Sequence, residues 1–251
     1  MEYLESLLPL MLILCAGIFV QAATGFAGGL MIVPSMLYCG YSIPEAQCSL
    51  LVATIPQNAW GLWSLRDSIT VRQVAGPGLG RMVLFPVGVL TLQYMEALQP
   101  STIRQIVGGV VLLVTLAIIS FRPRPREKLH PLWAWIAFPV SGFFQGLVGM
   151  GGPAMVFWVQ AHDWSTKQTR AFMFAMYFIS IAPGIAILYW FFGDRIIVPG
   201  LLAAVLTPVL LAVTVVGLRV GTRLGRTRLR RVSLGLLLLI GIAGLAAPWL
   251  R

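Results

Sequence analysis

Two glutamines, each followed by a cluster of glycines, are the residues of this chain whose types and spacing could bind a small ligand. Gln21 lies in residues 19–34, which read FVQAATGFAGGLMIVP, and Gln145 lies in residues 143–153, which read FFQGLVGMGGP. In each copy a glycine stands four residues after the glutamine and a glycine pair follows: Gly25 with Gly28 and Gly29, and Gly149 with Gly151 and Gly152. Glycines within an apolar run interrupt a helix and leave backbone N–H and C=O groups free to bind.

The chemistry that these motifs predict is the binding of a small anion. Helix ends inside the protein present unpaired N–H groups and the positive end of the helix dipole, which attract anions. None of the long apolar segments carries Asp, Glu, Lys or Arg near its centre, and Arg81 stands close to one end of its segment. A buried substrate would therefore be held by backbone amides and neutral donors. The candidate binding residues are Gln21, Thr24, Gly25, Gly28, Gly29, Gln57, Asn58, Gln145, Gly149, Gly151, Gly152 and Tyr177, with Ser180 as a further neutral donor.

Several of these residues also have a purely structural explanation, which the sequence leaves open. Glycines in membrane helices often allow two helices to pack closely. Gln57 and Asn58 follow Pro56, which removes a backbone hydrogen bond, so their side chains could either repair the helix locally or contact the substrate. Arg170, in the loop after the second motif, could attract anions or could simply set the topology. The occurrence of two matched copies favours a binding role for the glycines.

The composition places the motifs in a membrane protein. Of the 251 residues, 58% are hydrophobic and 10% are charged, with a mean hydropathy of +0.87. Soluble domains carry about 25% charged residues. The net charge of +10 lies mostly in short runs between apolar segments, which excludes nucleic-acid binding as the function. The chain has two histidines and three cysteines without metal-binding spacing, so we expect no metal and no cofactor.

The elements that must position the motifs are apolar segments long enough to cross a membrane, which takes about 20 residues. The N-terminal membrane repeat (1–121) is predicted to contain two hairpin arms at 6–23 and 27–40 and segments at 46–64, 75–95 and 103–121. A basic, proline-containing linker (122–130) follows. The C-terminal membrane repeat (131–251) is predicted to contain a stretch at 131–161 divided at 149–153, and segments at 171–192, 196–218 and 232–249.

The distribution of basic residues predicts the orientation of these segments. The two most basic loops, 122–128 and 219–231, should both be cytoplasmic. They lie on one side only if residues 131–161 turn back at the glycines. Each repeat then has a glycine-broken helical hairpin and three transmembrane helices, an odd number of elements, so the second repeat enters from the opposite side. We therefore expect an all-α polytopic membrane protein built from two inverted-topology repeats.

The two motifs carry a resemblance to a known family. The stretches GFAGGLMIVPSMLYCGYSIPEAQCSLL and GLVGMGGPAMVFWVQAHDWSTKQTRAFM resemble the doubled signature of the TauE/SafE sulfite-exporter-like permeases. The resemblance implies a multi-pass permease of a bacterial-type inner membrane that moves small, typically sulfur-containing anions such as sulfite, sulfonates or sulfoacetate. By position it carries over Gly25, Gly28, Gly29, Pro34, Gly149, Gly151 and Gly152. The second copy differs in having Pro153 directly after its glycines, so the two hairpins need not have the same shape.

We therefore expect a transporter, not an enzyme, that works by alternating access around a central site between the two hairpins. Proton-driven transporters usually carry an acidic or histidine relay within the membrane, and none is found here. This favours facilitated movement or a proton carried together with the anion. A membrane enzyme acting on lipid phosphates and an anion channel are the alternatives. The enzyme would need a nucleophile and an acid or histidine beside it, which the glycine motifs do not provide.

Overall fold

The helices follow the predicted segments in order, with one predicted segment divided into two helices. The computed structural model describes residues 2–25, 27–120, 129–224 and 226–246, and in these it contains eleven α-helices. They are α1 Glu2–Thr24, α2 Gly28–Tyr38, α3 Ile43–Ser64, α4 Val71–Met95, α5 Pro100–Ser120, α6 Pro131–Val148, α7 Gly152–Gln160, α8 Thr166–Phe192, α9 Ile197–Val205, α10 Thr207–Leu224 and α11 Arg226–Leu245. Short 3-10 helices lie at Arg66–Ser68 and Gly193–Ile196.

The helices α3 and α8 begin with the same local device in the two halves of the chain. The backbone N–H of Ser42 donates to Glu45 Oε2 over 2.6 Å at the start of α3. The backbone N–H of Ser165 donates to Gln168 Oε1 over 3.0 Å at the start of α8. A Ser followed three residues later by Glu or Gln satisfies donors that the first helical turn leaves free. Each glycine motif is therefore followed by a long helix with a defined start.

The helices have the length and surface of membrane-spanning elements. Within the described chain, three stretches are long and apolar enough to cross a bilayer: Val71–Met95, Pro100–Ser120 and Lys167–Val205. Large apolar side chains such as Trp190 and Leu113 stand on the outer surface of the bundle, as expected where lipid replaces water. The prediction of an all-α polytopic membrane protein is confirmed.

Three of the predicted segment boundaries are corrected by the structure. The segment predicted at 196–218 is two helices, α9 and α10, because Pro208 has no N–H with which to continue the first helix. Helix α8 begins at Thr166, five residues before its predicted start. Helix α4 begins at Val71, four residues before its predicted start, which changes the position of Arg81 within it. Residues 122–128 of the predicted linker lie outside the described residues, so the division of the chain into repeats stays a prediction.

The two halves of the chain are interleaved in the bundle. Helices α1 and α2 pack against each other, as do α6 and α7. Helix α4 of the first half packs on α6 of the second, and α10 of the second half packs on α1 of the first. Helices α3 and α8 contact each other, and so do α5 and α11. The ends of the two glycine motifs are therefore enclosed by helices from both halves.

Candidate functional site

Both glycine motifs end a helix in the same way. Gly25 follows α1 with φ +92°, and Gly149 follows α6 with φ +70°. Their backbone N–H groups donate to the carbonyls of Gln21 over 2.7 Å and of Gln145 over 3.0 Å. A left-handed residue at the end of a helix is most often glycine, because a Cβ atom is disfavoured in that conformation. The four-residue spacing between glutamine and glycine thus places each glutamine in the last turn of its helix.

The two motifs meet in the interior of the protein. A methyl group added to Gly29 would lie only 2.6 Å from the carbonyl oxygen of Gly149, so the backbones of the two motifs approach each other closely. The side chain of Gln47 on α3 donates from Nε2 to the carbonyl of Gly146 over 3.1 Å and fixes the end of α6. The absence of side chains at these glycines is what permits the approach.

A small, partly open cavity lies between the motifs. It brings together residues of both halves, and many of them were predicted as binding residues. Its lining consists of Gln21, Gly29, Leu30, Leu50, Leu51, Thr54, Arg81, Gln145, Gly149, Met150, Gly152, Pro153, Tyr177 and Ser180. Both glutamines and glycines of both motifs are therefore at one site, together with a polar group from α3 and two from α8.

The cavity is also lined by a cation, Arg81, which was expected close to one end of its helix. Arg81 is 1% exposed and is the eleventh of the 25 residues of α4. It donates from Nη2 to Gln145 Oε1 over 3.0 Å and from Nη1 to Met155 Sδ over 3.1 Å. Its guanidinium carbon lies 5.5 Å from the centre of the Tyr177 ring. The expectation that Arg81 stands close to one end of its segment is corrected by this finding, while the binding of the substrate by neutral donors stays a prediction.

A hydrogen-bonded network fixes the position of Arg81. Gln145 Oε1 accepts from the backbone N–H of Gly151 over 3.2 Å as well as from the arginine. Ser141 Oγ donates to the carbonyl of Gly151 over 2.6 Å. The guanidinium is therefore held by the helix end before the second motif and by the first residues after it. A signal for Arg81 was present in the sequence, since it is the one charged residue between Arg72 and Glu96, and such residues are functional candidates.

Several of the predicted binding residues do not belong to the lining of the cavity. Thr24 Oγ1 donates to the carbonyl of Val20 over 2.8 Å and is used within its own helix. Gly28 lies directly against the side chain of Gln21, and a methyl group at Gly151 would lie 2.8 Å from Gln145 Cβ. These glycines therefore make room for the two glutamines. Gly25 allows the chain to reverse its direction after α1, because it adopts the left-handed conformation.

Gln57 and Asn58 are buried without hydrogen-bond partners. Gln57 is 1% exposed and Asn58 is fully buried, and none of their four side-chain N and O atoms has a partner in the described chain. The local repair of the helix after Pro56, one of the two predicted roles, is therefore not seen. Gln57 stands three and seven residues after Thr54 and Leu50, which line the cavity, so it lies on the same face of α3, one turn further along.

Comparison with known proteins shows the family to which the chain belongs. The family described as "Sulfite exporter TauE/SafE" matches residues 10–244 of the chain. A protein of Cupriavidus necator named "Probable sulfite/organosulfonate exporter TauE" is 25% identical over 250 residues, which are 98% of this chain and 96% of that protein. No solved structure matches the chain. The match covers both glycine motifs and all of the residues that line the cavity.

Proposed function

Because this chain belongs to the sulfite exporter TauE/SafE family of membrane transporters, we propose that it exports a small sulfur oxyanion, sulfite or an organic sulfonate, through the cavity between its two glycine motifs. The family is one of exporters, so the prediction that the chain is not an enzyme is confirmed. The name of the relative from C. necator supports the choice of substrate. The organic part of a sulfonate would lie against apolar residues of the lining, which are Leu30, Leu50, Leu51, Met150 and Pro153.

The burial of Arg81 in the cavity is the observation that supports this proposal most. A buried charge is costly unless it is paired, and no carboxylate pairs with Arg81 among the described residues. Its Nε also has no partner there. Guanidinium N–H groups form strong hydrogen bonds with anionic oxygens. An oxyanion that enters the cavity would supply the missing charge and the missing acceptor together.

The glutamines and the backbone of the motifs would complete the site. Gln21 and Gln145 are 5% exposed and line the cavity from opposite halves of the chain. The Oε1 atom of Gln145 is occupied by Arg81 and Gly151, which turns its amide N–H groups toward other acceptors. Gly29 and Gly152 lie in the first turns of α2 and α7, where helical N–H groups have no partner within the helix. These groups would orient the substrate oxygens, while Gln57 and Asn58 would receive the anion one turn further along α3.

The glycine-broken hairpins would place this site at the middle of the membrane. Helix α2 has 11 residues and α7 has nine, so they are about 16 and 14 Å long, half of a hydrocarbon core of about 30 Å. Each would enter the bilayer only partly after the chain reverses. Short interrupted segments at matching places in two halves are the sequence pointer to a transporter site.

The packing of the helices supports two repeats related by a two-fold axis. Helices α1, α3 and α5 correspond to α6, α8 and α11, and α4 corresponds to α9 and α10. With this correspondence, the α4–α6 contact is equivalent to the α10–α1 contact, and the α4–α8 contact is equivalent to the α9–α3 contact. The α3–α8 and α5–α11 contacts are between counterparts. Gly61 packs against Phe174 and Gly184 against Leu51, which are equivalent contacts in the two halves. Rocking of one repeat against the other would expose the cavity alternately to the two sides.

Flux in proteoliposomes tests the proposed function. Purified protein would be reconstituted with labelled sulfite, methanesulfonate or sulfate inside, and efflux would be measured with and without a pH gradient. We expect saturable efflux of sulfite or a sulfonate, which a channel would not show. Vesicles that contain folded protein but show no saturable flux of any of these anions would contradict the proposal. Activity against an isoprenoid diphosphate would then test the enzyme alternative.

A further inference from the structure

We infer that the cavity selects substrates that carry one negative charge and no cationic group, so that the protein transports hydrogen sulfite and simple alkanesulfonates and rejects dianions and zwitterions. This inference rests on the proposed function and narrows its substrate class. It excludes sulfate, thiosulfate and the fully deprotonated sulfite ion. It also excludes sulfoacetate, which has a second negative charge, and taurine, which has an ammonium group.

The first observation is the number of formal charges around the cavity. Arg81 is the one charged side chain among the described residues that line it. No acidic side chain faces the cavity there, and both partners of the arginine, Gln145 and Met155, are neutral. The side chains that line the site therefore carry a formal charge of one positive unit. A monoanion with its charge on the oxygens next to Arg81 leaves the occupied site neutral.

The helix ends do not add a second positive charge to this site. At the first motif α1 ends at Thr24 and α2 begins at Gly28; at the second motif α6 ends at Val148 and α7 begins at Gly152. The end of a helix carries a negative partial charge and the start a positive one of about equal size. Because an end and a start lie together at each motif, their partial charges offset each other. The backbone amides orient an anion, and the arginine sets the charge.

A further observation is that the second half of the chain has no residue equivalent to Arg81. Gly88 on α4 lies against the carbonyl of Phe143, and a methyl group at Gly217 on α10 would lie 2.9 Å from the carbonyl of Phe19. Phe19 and Phe143 each stand two residues before their glutamine, so Gly88 and Gly217 are equivalent. Seven residues before them stand Arg81 and Leu210, and Leu210 is fully buried in the apolar core.

Among the described residues, the two repeats thus supply two glutamines but one cation to the cavity. A dianion in the cavity would leave one negative charge buried without compensation, and the ammonium group of a zwitterion would find no carboxylate. Either uncompensated charge costs several kcal/mol. We expect binding of such substrates to be at least about 100-fold weaker than binding of a monoanion of the same size. Sulfite, which is present in both charge forms near neutral pH, would be carried as the protonated monoanion, so each sulfite would leave the cell with one proton.

Competition by pairs of anions of similar size tests the inference. Efflux of labelled methanesulfonate from proteoliposomes that contain the wild-type protein would be measured with increasing concentrations of unlabelled competitors. The pairs are ethanesulfonate against taurine, methanesulfonate against sulfate, and propanesulfonate against sulfoacetate. We expect the first member of each pair to inhibit at concentrations at least about 100-fold lower than the second. Equal inhibition within the pairs would overturn the inference and leave the proposed function standing.

The pH dependence of two substrates provides a second, independent readout. As the pH rises through neutrality, sulfite loses its remaining proton and becomes a dianion, whereas methanesulfonate stays a monoanion. We therefore expect sulfite flux, measured with equal pH on both sides, to fall with rising pH while methanesulfonate flux stays level. A fall of both fluxes would place the titrating group on the protein and contradict the inference. Absence of flux for both anions at every pH would instead contradict the proposed function itself.

Discussion

At the scale of single residues, the proposed site depends on an arginine that is held in place but not neutralised. Arg81 uses its two terminal nitrogens on Gln145 and Met155, and neither partner carries a charge to offset its own. A charge-assisted hydrogen bond contributes about 1.5–3 kcal/mol, more than one between neutral groups. The anion that completes this arrangement would be bound by attraction and by the relief of an unpaired buried charge.

Replacement of Arg81 tests its role in binding. We expect Arg81→Gln to lower anion flux by about 10- to 100-fold, because one charge-assisted hydrogen bond is lost. Arg81→Lys should retain part of the flux, since it keeps the charge but not the planar geometry. Arg66→Gln is the matched control, because the Arg66 side chain is 60% exposed and pairs with Asp67. Flux of Arg81→Gln equal to that of Arg66→Gln, in equal amounts of folded protein, would contradict the assignment.

The two glutamines are expected to differ in their importance. Gln145→Leu removes the acceptor of both Arg81 and the Gly151 N–H, whereas the contact that the structure gives Gln21 is with Gly28. We expect both Gln21→Leu and Gln145→Leu to lose measurable anion binding, with the larger loss in Gln145→Leu. Equilibrium binding of radiolabelled methanesulfonate to purified protein in detergent measures this. Unaltered binding in both variants would remove the glutamines from the site.

At the scale of elements, the glycine motifs convert two apolar stretches into helix ends that meet. The left-handed conformations of Gly25 and Gly149 reverse the chain, and the bare backbone of Gly29 allows the second motif to approach. Gly28 and Gly151, which have no side chains, leave room for the side chains of Gln21 and Gln145. Each group of glycines thus has a different physical task, and the tasks can be separated by substitution.

Substitution of Gly28 and Gly151, the glycines that lie against the two glutamines, tests the role of the glycine motifs in transport. We expect Gly28→Leu and Gly151→Leu to abolish transport while the protein still inserts in the membrane, because the new side chain would occupy the place of Gln21 or of Gln145 and Arg81. Flux and the yield of folded protein measure the two effects. Wild-type transport by both variants would exclude the motifs from the site.

The chain reversal itself is tested by a smaller change. Gly149→Ala places a Cβ atom in a left-handed conformation and should destabilise the protein by about 1–2 kcal/mol. Gly76→Ala is the matched control, since a methyl group there would lie in open space within α4. The control should be neutral or slightly stabilising, because alanine is the better helix former. Thermal unfolding of both variants in detergent measures the difference, and equal melting temperatures would contradict the proposed strain.

At the scale of the whole molecule, exposed charged side chains lie beyond both ends of α4. Arg195 Nη1 lies 2.8 Å from Glu96 Oε2, which joins the end of α4 to the loop before α9. The crossing count that makes loops 122–128 and 219–231 cytoplasmic predicts both residues on the outer side. Arg66 and Asp67, at the opposite end of α4, are predicted on the cytoplasmic side together with Lys167. The orientation of the repeats follows from this separation and remains a prediction.

Labelling of introduced, exposed cysteines tests this orientation. Asp67→Cys and Asp194→Cys are matched exposed positions, and Cys39→Ser removes the exposed native thiol from the background. We expect a membrane-impermeant maleimide to label Asp194→Cys in intact cells and Asp67→Cys only in inverted vesicles. Labelling of both variants from the same side would contradict the predicted crossing number.

The sequence by itself determined the features of this protein that depend on local pattern. Hydropathy and segment length predicted the helices, because a bilayer requires long apolar runs with satisfied backbones. The spacing from Gln21 to Gly25 and from Gln145 to Gly149 predicted where two helices end, because the residue that ends a helix in the left-handed conformation is most often glycine. The repeat and the glycine motifs indicated the resemblance to the sulfite exporter TauE/SafE family.

Only the tertiary structure decided which side chains share the cavity. Arg81 lies 64 residues before Gln145 in the chain, and its position depends on the start of α4 and on the packing of α4 against α6. Thr24, by contrast, turns back to its own helix although it adjoins the motif. Helix packing between distant segments decides such contacts, and no local pattern encodes it.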